Sequence, residues 1–365
     1  MKFSSVKGVS FGGVCACVPA HSVDNAEFGR ELFGDDIENA IKATGIRTRR
    51  VCLPDSGITA LDLSVKAAKT LLENHPIAAS DIGGVLFVTQ TPDHDMPNNA
   101  SYAAHLLGLP TDCVATDMSL ACSGYVYGLW IAALMALSIQ APLLLLAGEN
   151  HSYSTSPYDR STALLFGDAG TATLLVPEGD SEWHFAFLTD GSQREALIIP
   201  EGRARRPFNE RSLEYSTWPD GGVRRPIDIR MDGMAVFNFV VRNVPGCLAS
   251  LLEKHGSASN SLDYLLLHQA NLYMMKQVAK KLKVPLEKMP VSLDRYGNSS
   301  SATIPVTICS ELQKNVTVRS HRIMAAGFGA GLSISAALMD LGPCVCPGVV
   351  EYLSAAPKKE RQKPI

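Results

Sequence analysis

The sequence predicts an α/β protein that is built from two similar halves. The run Phe166–Gly170, followed by a β-like segment, recurs about 160 residues later at Phe328–Gly331. The buried strand expected over 81–89 recurs over 262–269, at an offset of about 180 residues. Repeated spacing of this kind indicates two homologous halves, although echoes this short also arise by chance between buried strands. A chain of 365 residues is long enough to bury two domain-sized cores.

Apolar runs and turn residues predict the order of strands and helices along the chain. Short apolar runs bounded by Gly, Pro, Asn or Ser are typical of buried strands, and longer runs that open at a polar junction are typical of helices. The predicted elements are a strand at 8–20, a strand at 81–89, a strand at 114–119, a helix at 124–139, a strand at 141–148, a strand at 263–267, a helix at 272–282, a strand at 290–293 and a helix at 302–312.

One cysteine lies at the junction between the strand at 114–119 and the apolar helix at 124–139. Cys122 falls in the first turn of that helix, where unpaired N–H groups and the positive end of the helix dipole favour a thiolate. A thiolate is a nucleophile at neutral pH, so this position predicts covalent catalysis. The alternative, from this segment alone, is a buried structural cysteine.

Two later junctions hold a histidine and an asparagine. His268 ends the strand at 263–267, and Asn298 follows the strand at 290–293 in a Gly/Asn/Ser-rich turn that opens a helix. Polar side chains at the carboxyl ends of strands face the edge at which α/β proteins build their sites. Either residue alone also fits a helix cap or a core polar group. Three such residues at corresponding junctions favour one shared site.

Composition indicates a globular enzyme. The net charge is −3, 46% of the residues are hydrophobic and 19% are charged, so nothing suggests nucleic-acid binding. No apolar run is expected to reach membrane-spanning length. The segment 8–20 contains glycines and Pro19, which indicate a first strand and turn rather than a secretion signal. The polar stretch 357–363 is expected to be a frayed tail.

The cysteines favour a reduced, cytoplasmic protein without a metal site. There are nine of them, an odd number, and they are spread along the chain. Cys15-x-Cys17 and Cys344-x-Cys346 lack the C-x₂-C spacing and the nearby paired histidines of zinc sites. We therefore expect buried thiols or thiols at a sheet edge at both places.

The ordered motifs resemble the thiolase superfamily, and within it the β-ketoacyl-acyl-carrier-protein synthase III group. The matching segments are Ala121-Cys122-Ser123-Gly124, His268-Gln269-Ala270-Asn271-Leu272 and Tyr296-Gly297-Asn298-Ser299-Ser300, with support from Thr44-Gly45-Ile46-Arg47, Asp159-Arg160, Phe166-Gly167-Asp168-Ala169-Gly170 and Gly327-Phe328-Gly329-Ala330-Gly331. A Cys–His–Asn set also separates this group from relatives with Cys–His–His and from thiolases with a second cysteine. The resemblance implies a five-layered α-β-α-β-α thiolase fold, a homodimer and no cofactor.

By this resemblance, Cys122, His268 and Asn298 are the catalytic residues. Cys122 would accept an acyl group from acyl-coenzyme A or an acyl-carrier protein, and malonyl-carrier protein would then lose carbon dioxide and condense with it. His268 and Asn298 would donate hydrogen bonds to the enolate oxygen. The backbone amides of Cys122 and Ala330 would form the oxyanion hole for the tetrahedral intermediate.

The resemblance also implies positions that contact the substrate, namely Met96, Arg160, Phe237, Met234 and Asn271. Met96 stands where the family places an aromatic residue that reaches across the dimer, and Phe237 corresponds to a ring near the catalytic cysteine. For both residues, ordinary core packing is an equally good alternative.

Departures from the family pattern cluster in the outer channel. Asn39 stands in place of a tryptophan that stacks on the adenine of coenzyme A, and Ala43 in place of a nearby arginine. Met234 replaces a polar residue that contacts the pantetheine arm, and Tyr273 replaces an arginine that helps dock carrier protein. Losing these contacts weakens coenzyme A recognition. We therefore expect a carrier-protein thioester as the acyl donor.

Two basic segments are candidate docking surfaces. Lys276, Lys280 and Lys283 have the spacing of one helix face, which fits an acidic carrier protein or simply a solvated helix. The Arg-rich segment 200–226 is longer than the matching stretch in housekeeping members of the family. It fits a lid, a carrier-docking loop, a surface excursion or an added dimer contact.

These observations divide the chain into an N-terminal half, 1–180, with the nucleophile, a C-terminal half, 181–345, with the histidine, the asparagine and the insert 200–226, and an extension, 346–365. The expected function is decarboxylative Claisen condensation in fatty-acid-like or specialised biosynthesis. One alternative is acyl transfer from Cys122 to a hydroxyl or amine, although Asn298 argues against it. Another is a noncatalytic partner subunit, although the retained Cys–His–Asn set argues against that.

Overall fold

The structure is a computed structural model that describes residues 1–353. Its strands in chain order are β1 Lys2–Lys7, β2 Ser10–Pro19, β3 Ser22–Asp24, β4 Thr48–Arg50, β5 Gly84–Val88, β6 Val114–Met118, β7 Leu143–Glu149, β8 Ala169–Val176, β9 Glu182–Thr189, β10 Leu197–Ile198, β11 Ser216–Thr217, β12 Val223–Arg224, β13 Arg230–Met231, β14 Tyr264–Leu267, β15 His321–Gly329, β16 Ser333–Leu341 and β17 Val345–Tyr352. Its α-helices are α1 Asn25–Phe28, α2 Arg30–Phe33, α3 Ile37–Thr44, α4 Ala60–Glu73, α5 Asn99–Leu106, α6 Gly124–Ile139, α7 Gly233–Lys254, α8 Leu272–Leu282, α9 Leu293–Tyr296, α10 Thr303–Glu311 and α11 Gln313–Val316. The tail expected at 357–363 lies outside the described residues.

Two large mixed sheets contain most of the strands. The first has the order β17-β2-β8-β7-β5-β6, in which β7, β5 and β6 are parallel. The second has the order β1-β9-β16-β15-β14, in which β15 and β14 are parallel. Their central strands are buried on both faces, which explains why runs such as Leu143–Leu146 are apolar without alternation.

The two sheets repeat one path, as the internal echoes predict. In the first sheet β2 is antiparallel to β8, β8 is antiparallel to β7, and β7 is parallel to β5. In the second sheet β9, β16, β15 and β14 repeat these directions in the same order. The helices α4, α5 and α6 of the first half correspond in chain order to α7, α8 and α10 of the second. The predicted α/β fold with two duplicated halves is therefore confirmed.

Three apolar cores stack these elements into five layers. The helices α4 and α5 pack on the outer face of the first sheet, and α7 and α8 pack on the outer face of the second. Between the two sheets lie α6 and α10. A helix that meets a sheet on both sides must be apolar nearly all round, which explains the Leu-, Ala- and Trp-rich sequence of α6.

The strands nearest the two ends of the chain, β1 and β17, each pair in the sheet of the opposite half. β1 pairs with β9 in the second sheet, whereas β17 pairs with β2 in the first. Segments 2–7 and 345–352 therefore stabilise the sheet of the opposite half. The boundaries 1–180, 181–345 and 346–365 remain a proposed division of the chain.

Two expectations about individual segments are wrong. Residues 290–293 do not form a strand, because Gln269 occupies their hydrogen-bonding groups: Ser292 N donates to Gln269 Oε1 (3.0 Å), and Gln269 Nε2 lies 3.5 Å from Pro290 O. In addition, α7 is long and apolar enough, by length and composition, to cross a membrane. Half of its apolar stretch is buried inside the protein, where it packs on the second sheet and on α8.

The Arg-rich segment 200–226 is irregular apart from a short 3₁₀ helix, Glu210–Leu213, and the short hairpin of β11 and β12. One of its arginines is a core residue, since Arg224 is buried and its Nε lies 2.9 Å from Asp159 Oδ2. Arg224 Nη2 also contacts Asp220 Oδ1 (2.7 Å), and the exposed Arg203 pairs with Asp95. The segment is thus anchored at both ends to the first half.

Candidate active site

The three predicted catalytic side chains line one cavity of about 430 Å³ between the two halves. Cys122 follows β6, His268 follows β14, and Asn298 follows α9. The ends of β6 and β14, which belong to different sheets, and the turn after α9 bring these residues to the same cavity. The cavity walls also include Phe237 and Asn271, as predicted.

Cys122 fits only because two glycines of β15 lie against it. A Cβ added at Gly329 would lie 2.7 Å from Cys122 Cβ and 3.0 Å from Cys122 Sγ, and a Cβ added at Gly327 would lie 2.6 Å from Cys122 O. Real Cβ atoms do not approach so closely. The glycine-rich end of β15 therefore makes room for the nucleophile.

Burial raises the pKa of the Cys122 thiol to about 11. The side chain is only 6% exposed, and desolvation opposes the thiolate. The Ser300 hydroxyl, 3.5 Å from Cys122 Sγ, acts in the opposite direction, and the nearby Glu149 raises the pKa further. The sequence-based expectation of a thiolate favoured by the helix N-terminus is therefore wrong for the free protein, because Cys122 lies one residue before the N-cap Ser123 and is fully desolvated.

His268 is a neutral imidazole whose ring orientation is set by Thr303. Burial lowers the pKa of His268 to about 3, partly offset by its contact with the Ser300 backbone. His268 Nδ1 lies 2.7 Å from Thr303 Oγ1, and Phe328 packs edge-on against the ring at 5.5 Å. Nε2 is therefore the ring nitrogen available to a bound substrate.

The direction in which the Thr303 hydroxyl donates its hydrogen bond determines which nitrogen of His268 carries the proton. Its hydroxyl lies 3.0 Å from Ser300 O as well as 2.7 Å from His268 Nδ1, and it has one proton for these two acceptors. When the hydroxyl donates to Nδ1, Nε2 carries a proton and can donate to substrate. When it donates to Ser300 O, Nδ1 carries the proton and Nε2 presents a lone pair.

The amide of Asn298 is oriented by its own turn. Asn298 Oδ1 accepts a hydrogen bond from Ser300 N (2.9 Å), so Nδ2 is the end of the amide left to donate. The backbone of Asn298 is fixed across the interface between the halves: its N donates to Leu165 O (2.8 Å) and its O accepts from Gly167 N (3.1 Å). The position of this donor therefore depends on both halves.

Two backbone amides next to Cys122 are not engaged. Among residues 1–353, the N–H groups of Cys122 and Ala330 make no hydrogen bond to backbone or side chain. Both residues line a second cavity of about 50 Å³ on the other side of Cys122. Free amides at this place have the chemistry of an oxyanion hole.

The rest of that second cavity combines an apolar wall with a polar one. Leu197 to Ile199 and Ile229 form the apolar wall. The polar wall contains Gln90 and His151. Burial lowers the pKa of His151 to about 4.

Glu149 lies behind this polar wall and is fully buried. Its carboxylate accepts hydrogen bonds from Gln90 N (3.0 Å), Thr91 Oγ1 (3.1 Å), Ser301 Oγ (3.3 Å) and Thr89 Oγ1 (3.4 Å). Burial nevertheless raises the pKa of Glu149 to about 8. This carboxyl group ties the end of β7 to the turn that follows Asn298.

The remaining predicted contact residues divide between the cavity mouth and more distant surfaces. Phe237 and Tyr273 stack at the mouth, with ring centroids 5.8 Å apart, and Asn271 caps α8 by accepting from Tyr273 N (2.9 Å). Met234 is 68% exposed and Met96 is 82% exposed, and neither lines the cavity.

Arg160 does not line the cavity either, since its guanidinium stacks on Phe33 at 4.6 Å. Lys276 and Lys280 are exposed on α8, and Lys283 is exposed at its C-cap. Within residues 1–353, no group of three or more His, Cys, Asp or Glu residues could hold a metal ion.

Four polar residues of the site were not found from the sequence: Ser300, Thr303, Glu149 and His151. Ser300 and Thr303 follow Asn298 by two and five residues, so the Ser-rich turn was a usable signal. Glu149 is the last residue of β7 and His151 follows two residues later, so polar residues at this strand end were a usable signal.

A five-layered duplicated fold with a buried cysteine, histidine and asparagine in one cavity defines a condensing enzyme of the thiolase superfamily. The family profile described as 3-oxoacyl-[acyl-carrier-protein (ACP)] synthase III matches residues 116–191, and the profile of its C-terminal part matches residues 252–341.

Individual relatives give the same assignment. The chain is 33% identical to the beta-ketoacyl-[acyl-carrier-protein] synthase III of Streptococcus mutans, over 87% of this chain and 94% of that protein. It is 34% identical to the enzyme of that name from Acaryochloris marina, over 91% and 97% of the two chains. The crystal structure of 3-oxoacyl-(acyl-carrier protein) synthase from Burkholderia xenovorans superposes with a TM-score of 0.89 at 34% identity, covering 96% and 99% of the two chains. The chain belongs to the 3-oxoacyl-[acyl-carrier-protein] synthase III family, and it is a transferase of the condensing-enzyme class.

Proposed function

We propose that the enzyme joins an acyl thioester to malonyl-acyl-carrier protein through an acyl-Cys122 intermediate. The observation that carries this proposal is the placement of one thiol, one imidazole and one amide donor in the same cavity. A nucleophile and two donors are what the two half-reactions need.

In the first half-reaction, Cys122 Sγ bonds to the acyl carbonyl carbon and the carrier thiolate leaves. Because burial raises the pKa of Cys122 to about 11, the thiol still carries its proton when the substrate arrives. That proton ends on the leaving carrier thiol, and Nε2 of His268 is available to relay it when Nδ1 holds the ring proton. The free amides of Cys122 and Ala330 hold the oxyanion of the tetrahedral intermediate.

In the second half-reaction, the malonyl group loses carbon dioxide and leaves an enolate. Nδ2 of Asn298 and Nε2–H of His268 donate to the enolate oxygen, which requires that Thr303 donates to His268 Nδ1. The enolate carbon then attacks the acyl carbon, the bond to Cys122 Sγ breaks, and the thiol regains a proton. The product is a 3-oxoacyl thioester on the carrier.

The mouth of the cavity supports a carrier-protein thioester as the acyl donor. Phe237 and Tyr273 give it an apolar rim, and Lys42 is the cation among its lining residues. An adenine nucleotide with several phosphates gains more from several cations. The exposed lysines Lys276, Lys280 and Lys283 offer an acidic carrier protein complementary charge close to the mouth.

The outer edge of the first sheet supports a homodimer. β6 is the last strand of that sheet, no strand within residues 1–353 pairs with its outer side, and Val114 on it is 43% exposed. An open edge strand is a natural pairing surface for a second copy, and Met96 projects from the same half. We also propose a cytoplasmic location and a role in fatty-acid-like or specialised biosynthesis.

The proposal is tested by measuring carbon dioxide release from malonyl-carrier protein labelled in its free carboxyl group. The purified enzyme with an acyl donor is expected to release one carbon dioxide per 3-oxoacyl product. Asn298→Asp, which keeps the Oδ1 acceptor but removes the Nδ2 donor, is the matched variant. Product formed without carbon dioxide release, or unchanged release by this variant, would refute the assignment.

A further inference from the structure

One buried side chain beside Cys122 has no part in the proposed condensation. His151 follows β7, is 5% exposed and lines the small cavity that also contains Cys122. Its Nδ1 is buried and has no hydrogen-bond partner within residues 1–353. Its Nε2 lies 3.8 Å from Glu149 Oε2, which is beyond hydrogen-bond distance.

An imidazole in this condition is unusual, because buried polar groups normally have partners. The Nδ1 atom of His151 lost its water contact on folding and gained no protein hydrogen bond in exchange. A ligand atom that pairs with the ring would recover this loss. Because burial keeps the pKa of His151 at about 4, the ring is neutral at pH 7 and has one donor and one acceptor nitrogen.

The surroundings of His151 narrow the class of ligand. The exposed Gln90 also lines the cavity, and its side-chain amide makes no hydrogen bond within residues 1–353. Leu197 to Ile199 and Ile229 give the cavity an apolar lining as well. A group that combines carbon with a neutral oxygen matches this mixed lining. An anionic group does not, because the imidazole is neutral and the residues that line the cavity include no lysine or arginine to pair with it.

The size of the cavity limits the length of the group. Its volume of about 50 Å³ is space for only a few water-sized groups. The cavity adjoins a larger one past Gln90 and Ile199, and His151 lines only the smaller of the two. The oxygen that pairs with His151 must therefore be near the thioester.

We infer that the acyl group carried by Cys122 is a short hydroxyacyl or oxoacyl group whose oxygen hydrogen-bonds to His151, so that His151 determines substrate specificity. This inference rests on the proposed acylation of Cys122. A plain alkyl group of the same length leaves the imidazole unpaired, and a site built around a hydrogen bond discriminates strongly against an analogue that lacks it.

The test compares acyl groups that differ by a single oxygen on the same carrier. Butanoyl, 2-hydroxybutanoyl, 3-hydroxybutanoyl and 3-oxobutanoyl thioesters are supplied to the full-length enzyme, and the rate of Cys122 acylation is followed by intact-protein mass spectrometry. At least one oxygenated group is expected to label the wild type on the order of tenfold or more faster than butanoyl.

Variants of His151 and of the apolar wall separate recognition from folding. His151→Leu, which has no polar side-chain atom, is expected to abolish the preference for oxygenated groups over butanoyl. In this variant, butanoyl leaves no imidazole unpaired. His151→Asn, which keeps a polar atom close to the position of Nδ1, is expected to restore part of it. Ile229→Val, on the apolar wall, is the control and should change the rates of oxygenated and plain groups alike. A merely structural role for His151 would lower all rates together and leave their ratio unchanged.

Two results would overturn the inference. One is a wild type that accepts butanoyl as fast as every oxygenated group, and the other is a His151→Leu variant that keeps the full preference. Either leaves acylation of Cys122 intact. Absence of any adduct from all four thioesters would instead contradict the proposed acylation, and the inference would fall with it.

Discussion

The two halves of the molecule share one fold but present different chemistry at equivalent junctions. In the first half, the junction before α6 holds Cys122, a buried thiol. In the second half, the junction before α10 holds Asn298, an amide donor. Equivalent junctions of the two halves thus meet in one cavity, where we propose that Cys122 is the nucleophile and Asn298 a stabiliser of negative charge.

The repeated pairs Phe166-Gly167 and Phe328-Gly329 show how each half leaves space for the other. Gly167 in the first half packs against the second half, since an added Cβ would lie 2.1 Å from Tyr296 O, just before Asn298. Gly329 in the second half packs against Cys122 of the first. Each glycine therefore leaves space for the catalytic junction of the opposite half, and neither half can form its part of the site alone.

The largest expected effect concerns the amide donor of the second half. Asn298→Ala should lower malonyl decarboxylation on the order of a hundredfold to a thousandfold, because an enolate donor is lost. Self-acylation of Cys122 should change only a few-fold, since that step uses the backbone amides of Cys122 and Ala330 rather than the Asn298 side chain. Separate single-turnover measurements of the two half-reactions would show this. Equal losses in both steps would contradict the division of roles between the halves.

A methyl group added at Gly329 should have the next largest effect. Gly329→Ala places a carbon 3.0 Å from Cys122 Sγ and is expected to slow self-acylation on the order of a hundredfold by displacing the nucleophile. The matched control is Gly246→Ala in α7, where nothing lies within 4 Å of the added carbon. That control should retain full activity and gain up to about 1 kcal/mol in the free energy of unfolding. Full acylation by Gly329→Ala would show that the two halves are less tightly fitted than the structure indicates.

The hydroxyl that orients His268 should have a smaller effect. Thr303→Val removes the partner of His268 Nδ1 and is expected to reduce decarboxylation about tenfold, because the imidazole loses its fixed tautomer. Thr303→Ser keeps the hydroxyl and should recover most of the rate. Initial rates of carbon dioxide release from malonyl-carrier protein would test both variants. If Thr303→Ser were as slow as Thr303→Val, packing of the methyl group rather than the hydrogen bond would be the cause.

The smallest expected effect is on stability and depends on pH. The carboxyl of Glu149 has a pKa of about 8 in the folded protein and about 4.3 in an unfolded chain. Between these values the folded state binds the extra proton, so the free energy of unfolding falls as pH rises from about 4.3 to about 8. Glu149→Gln removes this loss. The melting temperature of the variant minus that of the wild type should therefore increase by a few °C between pH 5 and pH 8. A difference that does not vary with pH would show that the carboxyl is already ionised at pH 5.

Much of the fold and the centre of the site could be predicted from the sequence. Helices at 124–139 and 272–282 were predicted with the bounds that α6 and α8 have, because both begin at a polar junction. Cys122, His268 and Asn298 could be predicted because each lies at a junction that opens a helix, and because the motifs around them resemble one family.

What could not be predicted depends on contacts between distant segments. The pKa of Cys122 follows from complete desolvation, which local sequence near a helix start does not reveal. The segment 290–293 is not a strand because Gln269, more than twenty residues earlier, satisfies its backbone groups. His151 became a candidate only when the structure placed it without a partner beside Cys122.

The central claim is that one thiol carries the acyl group between the two half-reactions, and intact-protein mass spectrometry tests it most directly. Wild-type enzyme and Cys122→Ser are exposed to acyl thioesters on carrier protein and on coenzyme A, and then to malonyl-carrier protein. We expect a single acyl mass on the wild type, and it should form faster from carrier protein than from coenzyme A. The mass should be absent as a thioester from Cys122→Ser. Malonyl-carrier protein should remove it as the 3-oxoacyl product appears. An adduct that persists with malonyl-carrier protein but leaves with an alcohol or amine would contradict the account and indicate an acyltransferase.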